Sequence, residues 1–163
     1  MGGRMGRLTP LALLLVSFNS FAADLPNPAI TPGATDPAAT KDVICVRGYT
    51  SGTKADGTKV RDVSEATKLQ AYRNYGVEGN YKGYCDPKVG CEIDHLISLQ
   101  LGGSNDIKNL WPQSYAGEWN AHLKDGLENT LHSKVCKSEI SLEEAQKAIS
   151  SNWIEAWKKY VKK

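Results

Sequence analysis

The sequence predicts an α+β domain, and three observations carry that prediction. Short runs rich in Val, Ile and Leu lie at residues 42–48 and 92–99, each bounded by Gly, Ser, Asn or Asp, as strands are. Over 118–135 and again over 141–160, apolar residues recur every three or four positions, as on one face of a helix. Four cysteines in 163 residues add a covalent frame.

Taken in order, the chain begins with a segment that reads as a targeting signal. Arg4 and Arg7 precede the apolar run Leu11 to Phe18, and Ser20-Phe21-Ala22 supplies the small residues of a cleavage site. The apolar run is too short to span a bilayer as a helix. Residues 1–22 are therefore expected to be a signal peptide, cut after Ala22, with export to the periplasm or beyond; a start at Met5 leaves this unchanged. Losing Arg4 and Arg7 takes 20 basic residues to 18, against 18 acidic ones. A neutral body excludes nucleic-acid binding by global charge, so phosphate binding needs a local patch or a metal.

Residues 23–41 hold Pro26, Pro28, Pro32 and Pro37 among small polar neighbours and read as an extended, mobile linker. The folded domain is expected over 42–163, with no internal repeat. It opens with a short strand over Asp42 to Gly48 and a Gly/Ser/Thr-rich loop to Thr58. Ser64 then caps a helix running to Tyr75, with Gly76 at its C-terminal end. Tyr72, Tyr75, Tyr81 and Tyr84 suit either core packing or stacking on bases, and packing is the commoner role.

Cys45, Cys85, Cys91 and Cys136 in an exported chain predict two disulfides, for which three connectivities exist. Cys85 and Cys91 bracket the turn-prone Asp86-Pro87 and Gly90, so Cys85–Cys91 with Cys45–Cys136 is preferred. No CxxC pair is present, which argues against a zinc–cysteine site.

The central stretch is Cys91 to Gln113, CEIDHLISLQLGGSNDIKNLWPQ. Glu92 to Leu99 reads as a strand with Glu92 and Asp94 on one face and His95 on the other. Gly102-Gly103 and the polar turn Ser104-Asn105-Asp106 reverse the chain. Two strands and the start of a helix then bring Asp94, His95 and Asn109 together. Trp111-Pro112 is expected to end local regularity. A carboxylate beside an imidazole suits metal-assisted hydrolysis.

Asp94-His95, Gly102-Gly103 and Asn109 at this spacing resemble the motif of the HNH nucleases, the ββα-metal (His-Me finger) family, in a secreted bacterial branch. The resemblance is strong over 91–113 and weaker from about 45 to 157. It implies a ββα-metal core braced by extra helices, and a metal-dependent endonuclease that hydrolyses phosphodiester bonds in DNA, with RNA as the further candidate substrate. It also implies one divalent cation, Mg²⁺ or Mn²⁺, on Asp94. His95 would be the general base, with its ordinary pKa near 6.5 suited to the task. Asn109 would brace the loop that orients it.

At the family's last position this chain departs from the common pattern. A His or Asn is expected nine residues after Asn109, where Glu118 stands; Asn120 and His122 are the neighbouring candidates. With a helix over Glu118 to Val135 and a buried stripe of Trp119, Leu123, Leu127, Leu131 and Val135, rotation by about 100° per residue places Asn120 and Lys124 within the stripe. Asn120 is thus the expected second metal ligand, and Lys124 the expected phosphate contact. His122 and His132 are expected at the solvated surface. Gly126 weakens the helix by about 1 kcal/mol.

Ser141 with Glu144 forms a capping box for the next helix, and Asn152 caps a last one carrying Trp153, Ile154, Trp157 and Tyr160. Lys158, Lys159, Lys162 and Lys163 make a basic end that complements the helix dipole or touches DNA. Nucleic acid is the expected partner. The alternatives are a catalytically silent exported domain that binds nucleic acid or the envelope, and a hydrolase of small phosphodiesters.

Overall fold

The computed structural model describes residues 24–76 and 90–162. The expectations for residues 1–22, for Tyr81, Tyr84 and Cys85, and for Lys163 lie outside these. The elements in order are α1 (Lys41–Ile44), α2 (Glu65–Asn74), β1 (Cys91–His95), β2 (Leu110–Ser114), α3 (Ala121–Cys136) and α4 (Leu142–Tyr160). Short 3₁₀ turns occupy Tyr49–Ser51, Leu99–Leu101 and Ile107–Asn109. Among the described residues this is an α+β arrangement with one two-stranded sheet.

The sheet is antiparallel, with His95 opposite Leu110 and Cys91 opposite Ser114. β1 is shorter than the Val/Ile/Leu pattern predicts. After His95 the chain leaves the sheet into a loop, because Asn109 takes over the backbone pairing of Leu96 and Ile97. Gly103 is obligatory in that loop, since a Cβ there would lie 1.7 Å from the Ile97 carbonyl oxygen. β2 contains Trp111 and Pro112, which were expected to end regular structure. Pro112 is tolerated because each strand of a two-stranded sheet has an open edge where no N–H is required. Trp111 is fully buried.

The core lies between α3, α4 and the loop after β1. Leu127, Leu131 and Val135 of α3 meet Ala145, Ile149 and Trp153 of α4, with Ile97 and Leu101 closing one end. These α3 positions repeat every four residues, the spacing that keeps side chains on one helix face. Ser141 caps α4 by accepting from the Glu144 N–H at 2.9 Å. Asn152 interrupts that helix with an extended backbone, and its Oδ1 accepts from Ile154 and Glu155 N–H, each at 3.1 Å. The two expected helices are therefore one run with a capped break. Ser64 caps α2 through the Thr67 N–H, and Gly76 follows with φ +72°.

Two expectations fail on tertiary grounds. Residues 42–48 are not a strand: they begin as α1, in which Ile44 is buried while Val43 and Val46 face solvent. No neighbouring strand among the described residues pairs with them. Residues 24–40 are not a free linker but a strap over the central loop. Thr31 is buried and donates to the Leu110 carbonyl at 3.0 Å. Gly33 N–H donates to the Lys108 carbonyl, Asp36 N–H to that of Gly102, and Ser104 N–H returns to Ala34. Trp153 Nε1 donates to the Asp24 carbonyl at 2.8 Å. Prolines supply an extended chain that loses little entropy on docking, and the exposed backbone of the loop supplies its partners.

Cys45 and Cys136 form a disulfide with Cα atoms 5.6 Å apart, tying the end of α1 to the end of α3. Cys91 is also disulfide-bonded, and no described cysteine is free. Among the described residues, no helix is long and apolar enough to cross a membrane.

Candidate active site

Asp94 and His95 close β1, where the strand meets both the loop and α3. Asn109 is fully buried and saturates its amide. Its Nδ2 donates to the carbonyls of Ile97 and Ser104 at 2.9 Å each. Its Oδ1 accepts from Ile97 N–H at 2.9 Å and Ala34 N–H at 3.3 Å. One side chain thus clips the loop after His95 to the strap, and the chain at 109 sits directly opposite the end of β1.

His95 is nearly buried, with 5% of its surface exposed. Its Nε2 lies 3.0 Å from Asn105 Oδ1, and Asn105 Nδ2 donates to the Val60 carbonyl at 2.9 Å. Burial disfavours the charged ring and lowers its pKa below the usual imidazole value; Asn105 and Asp94 pull the other way, Arg61 and Lys124 with burial. The ring is therefore neutral, able to accept a proton, at neutral pH.

His95 lines an open cleft of about 680 Å³ together with Ile93, Tyr72, three cations (Lys59, Arg61 and Lys68) and three carboxylates (Asp62, Glu65 and Glu92). Val60 is buried, so Lys59 and Arg61 flank an anchored residue and both reach the cleft. Lys68 pairs with Glu65 at 2.6 Å on the same wall. Nothing in the sequence reading had marked this trio. Its signal was only the alternation Lys59-Val60-Arg61, far along the chain from the motif.

The opposite face of β1 is acidic and contains a buried cation. Lys124 is completely buried, and its Nζ lies 2.6 Å from Asp94 Oδ2, 2.5 Å from Glu128 Oε1 and 2.7 Å from the His95 carbonyl. Burial alone would lower its pKa, but Asp94 and Glu128 raise it above the ordinary lysine value. All three ammonium protons are engaged. Lys124 is thus not the open phosphate contact expected from helical phase; it ties α3 to the Asp94-His95 corner. Phase did place it inward, but α3 rather than substrate supplies its partners.

Asn120 is corrected on similar grounds. The helix starts one residue later than expected, and Asn120 is its N-cap, with Oδ1 accepting from Leu123 N–H at 3.2 Å and Nδ2 donating to the Gly117 carbonyl at 3.0 Å. An oxygen committed to a cap is a poor metal donor. Burial and then the charge of Asp94 raise the pKa of Glu92 and of Asp125, the residue after Lys124. Tyr115 donates to Glu92 Oε2 at 2.9 Å, and burial, that bond and these negative charges push its pKa up to about 12. Asp125 and Asn105 were missed because each acts across elements, and Glu128 because a surface i,i+4 pair and a buried one read alike in sequence.

The other predicted residues fall as follows. Tyr75 packs on the strap through Thr31 and Asn27, while Tyr72 lines the cleft. His122 is exposed and stacks on Tyr115. His132 is half-buried, with its Nε2 3.1 Å from the Ile44 carbonyl and 3.5 Å from Cys136 Sγ. Cys45, His132 and Cys136 place atoms of metal-ligand type within 4.8 Å of one another, a group that could hold a metal ion. With the two sulfurs joined, no thiolate is available there. Lys158 pairs with Glu155 and lies over Trp119, and Lys159 meets Tyr160, so these basic residues are engaged within the helix.

No family model, curated protein or solved structure matches this chain.

Proposed function

We propose that this chain is a metal-dependent endonuclease built on a ββα-metal core formed by β1, β2 and α3, and that it acts outside the cytoplasm. The observation that carries the proposal is the convergence of His95 with Lys59, Arg61 and Lys68 on one open cleft. A neutral imidazole with cations along the same wall suits a phosphodiester, whose oxygens are anionic and whose phosphorus is attacked by water. The Cys45–Cys136 disulfide suits an oxidising compartment.

His95 takes the proton of a water aligned on the phosphorus, and Lys59 and Arg61 hold the backbone oxygens that flank the scissile bond, while Lys68 stays paired with Glu65. Lys124 keeps Asp94 and the His95 carbonyl in register. Asn109 holds the loop behind the ring. Asp94, through the Oδ1 that Lys124 does not take, would hold one divalent cation, which would neutralise charge on the phosphate and leaving oxygen. Burial and then the charge of Asp94 raise the pKa of Glu92 and Asp125, and a cation at Asp94 would favour both ionised forms. Mg²⁺ or Mn²⁺ matches that donor set better than a soft metal.

The test is supercoiled plasmid incubated with the oxidised protein and Mg²⁺ or Mn²⁺. EDTA and His95→Ala samples serve as controls. Nicking abolished in both controls is the expected result. Folded protein that cleaves nothing with either ion would leave a nucleic-acid-binding module as the better reading.

A further inference from the structure

We infer that Asn105 is a positioning residue that dictates which nitrogen of His95 carries the ring proton; this deepens the proposal above, because it matters to catalysis only if His95 is the base. The Val60 carbonyl has lone pairs and no hydrogen. The Asn105 atom 2.9 Å from it is therefore the amide nitrogen, and the orientation of the amide is settled. The other end, Oδ1, then faces His95 Nε2 at 3.0 Å. An amide oxygen only accepts, so Nε2 must bring the hydrogen. In the neutral ring Nδ1 is left with the lone pair.

Nδ1 has no hydrogen-bond partner among the described residues, and the ring lines the cleft. It is the nitrogen able to receive a proton from water. Asn105 is itself held at both ends. Asn109 Nδ2 fixes the neighbouring Ser104 carbonyl, and Val60 is anchored by its buried side chain and by its N–H on the Gly52 carbonyl at 3.1 Å. Because Lys59 and Arg61 flank Val60, Asn105 also joins the base to the segment that carries two cations of the cleft.

The experiment uses the full chain with ¹⁵N-labelled histidine. Long-range proton–nitrogen correlation, at a pH where the ring is neutral, identifies the protonated nitrogen of His95. Turnover of a dye-labelled DNA duplex with Mg²⁺ is measured in parallel. The wild type is expected to show Nε2–H. Asn105→Leu should lose that preference and lower kcat by about 10- to 100-fold with KM unchanged, as for other residues that orient a reactive group from behind. Asn105→Asp, which still accepts from Nε2–H, should keep the tautomer and recover much of kcat. An Nδ1–H tautomer in the wild type overturns the inference, as does an Asn105→Leu protein with wild-type spectrum and kcat. Should Asn105→Leu fail to fold, the wild-type spectrum and Asn105→Asp still decide. A wild type that cleaves nothing defeats the nuclease reading alone, since the tautomer is read without turnover.

Discussion

At the scale of the residue, Lys124 and His95 show how burial assigns roles. A lysine with no exposed surface is tolerable only with its charge matched, and Asp94, Glu128 and the His95 carbonyl do this. Lys124→Met strands two carboxylates and should cost about 3–5 kcal/mol in urea unfolding, with Lys124→Met/Glu128→Leu recovering part of the loss. His95 gives a pH signature. Its folded pKa lies below the unfolded value, so the unfolded chain binds more protons between the two. The neutral ring's contribution is full above the unfolded value and is lost as pH falls through it towards the folded one. Glu92 and Asp125, with raised pKa, act in the opposite sense: their contribution is full below the unfolded carboxyl value and is lost as pH rises. Comparing wild type with His95→Gln at pH values on either side of the ordinary imidazole value isolates the histidine. The variant should lose less stability on acidification.

At the scale of the element, the loop between β1 and β2 depends on glycine and asparagine in different ways. Gly103 has no room for a methyl, because the Ile97 carbonyl occupies that space. Gly103→Ala should destabilise the fold by on the order of 3 kcal/mol or leave it unfolded. Gly126, in α3, has nothing within 4 Å of a Cβ, so Gly126→Ala should stabilise by about 1 kcal/mol. Thermal unfolding by circular dichroism measures both, and the opposite signs test whether loop and helix glycines are read correctly. Asn109→Ala leaves the Ile97 N–H and two carbonyls without partners and should cost about 3 kcal/mol, since each orphaned buried group carries a desolvation penalty.

At the scale of the whole molecule, two ties join the first third of the chain to later parts. The Cys45–Cys136 bond spans 91 positions, and in the chain-entropy view closing such a loop contributes about 4.6 kcal/mol. Urea midpoints with and without a phosphine reductant should differ accordingly. Because the reductant also opens the bond at Cys91, a Cys45→Ser/Cys136→Ser protein kept oxidised isolates this tie, and its urea midpoint should fall below that of the oxidised wild type. The strap over residues 24–40 is the second tie, and it meets the same loop that carries Asn105 and Asn109. The site is thus supported from three separate regions of the chain.

What the sequence determined by itself was local. Ser64, Ser141 and Asn152 cap where they stand because a short polar side chain reaches its own backbone a few residues on. The α3 stripe at Leu127, Leu131 and Val135 follows from helical period alone. The α+β class and the pairing of Cys45 with Cys136 were legible for the same kind of reason, as pattern and turn chemistry. The strand expected at 42–48 failed because a strand needs a neighbour, and pattern does not supply one. The proline-rich strap was taken for a linker because its bonds go to residues 102–110, far along the chain. Within the candidate site, Asp94, His95 and Asn109 stood out as a motif. The spacing did not reveal that Asn120 is spent on a cap or that Lys124 is walled in by Glu128. Nor did it reveal that Asn105 reaches His95 while Lys59 and Arg61 line its cleft. The Asn120 cap and the Lys124–Glu128 pair lie within four residues, where spacing alone leaves several roles open. Asn105, Lys59 and Arg61 meet His95 from distant positions, because such contacts are set by where the core places their backbones.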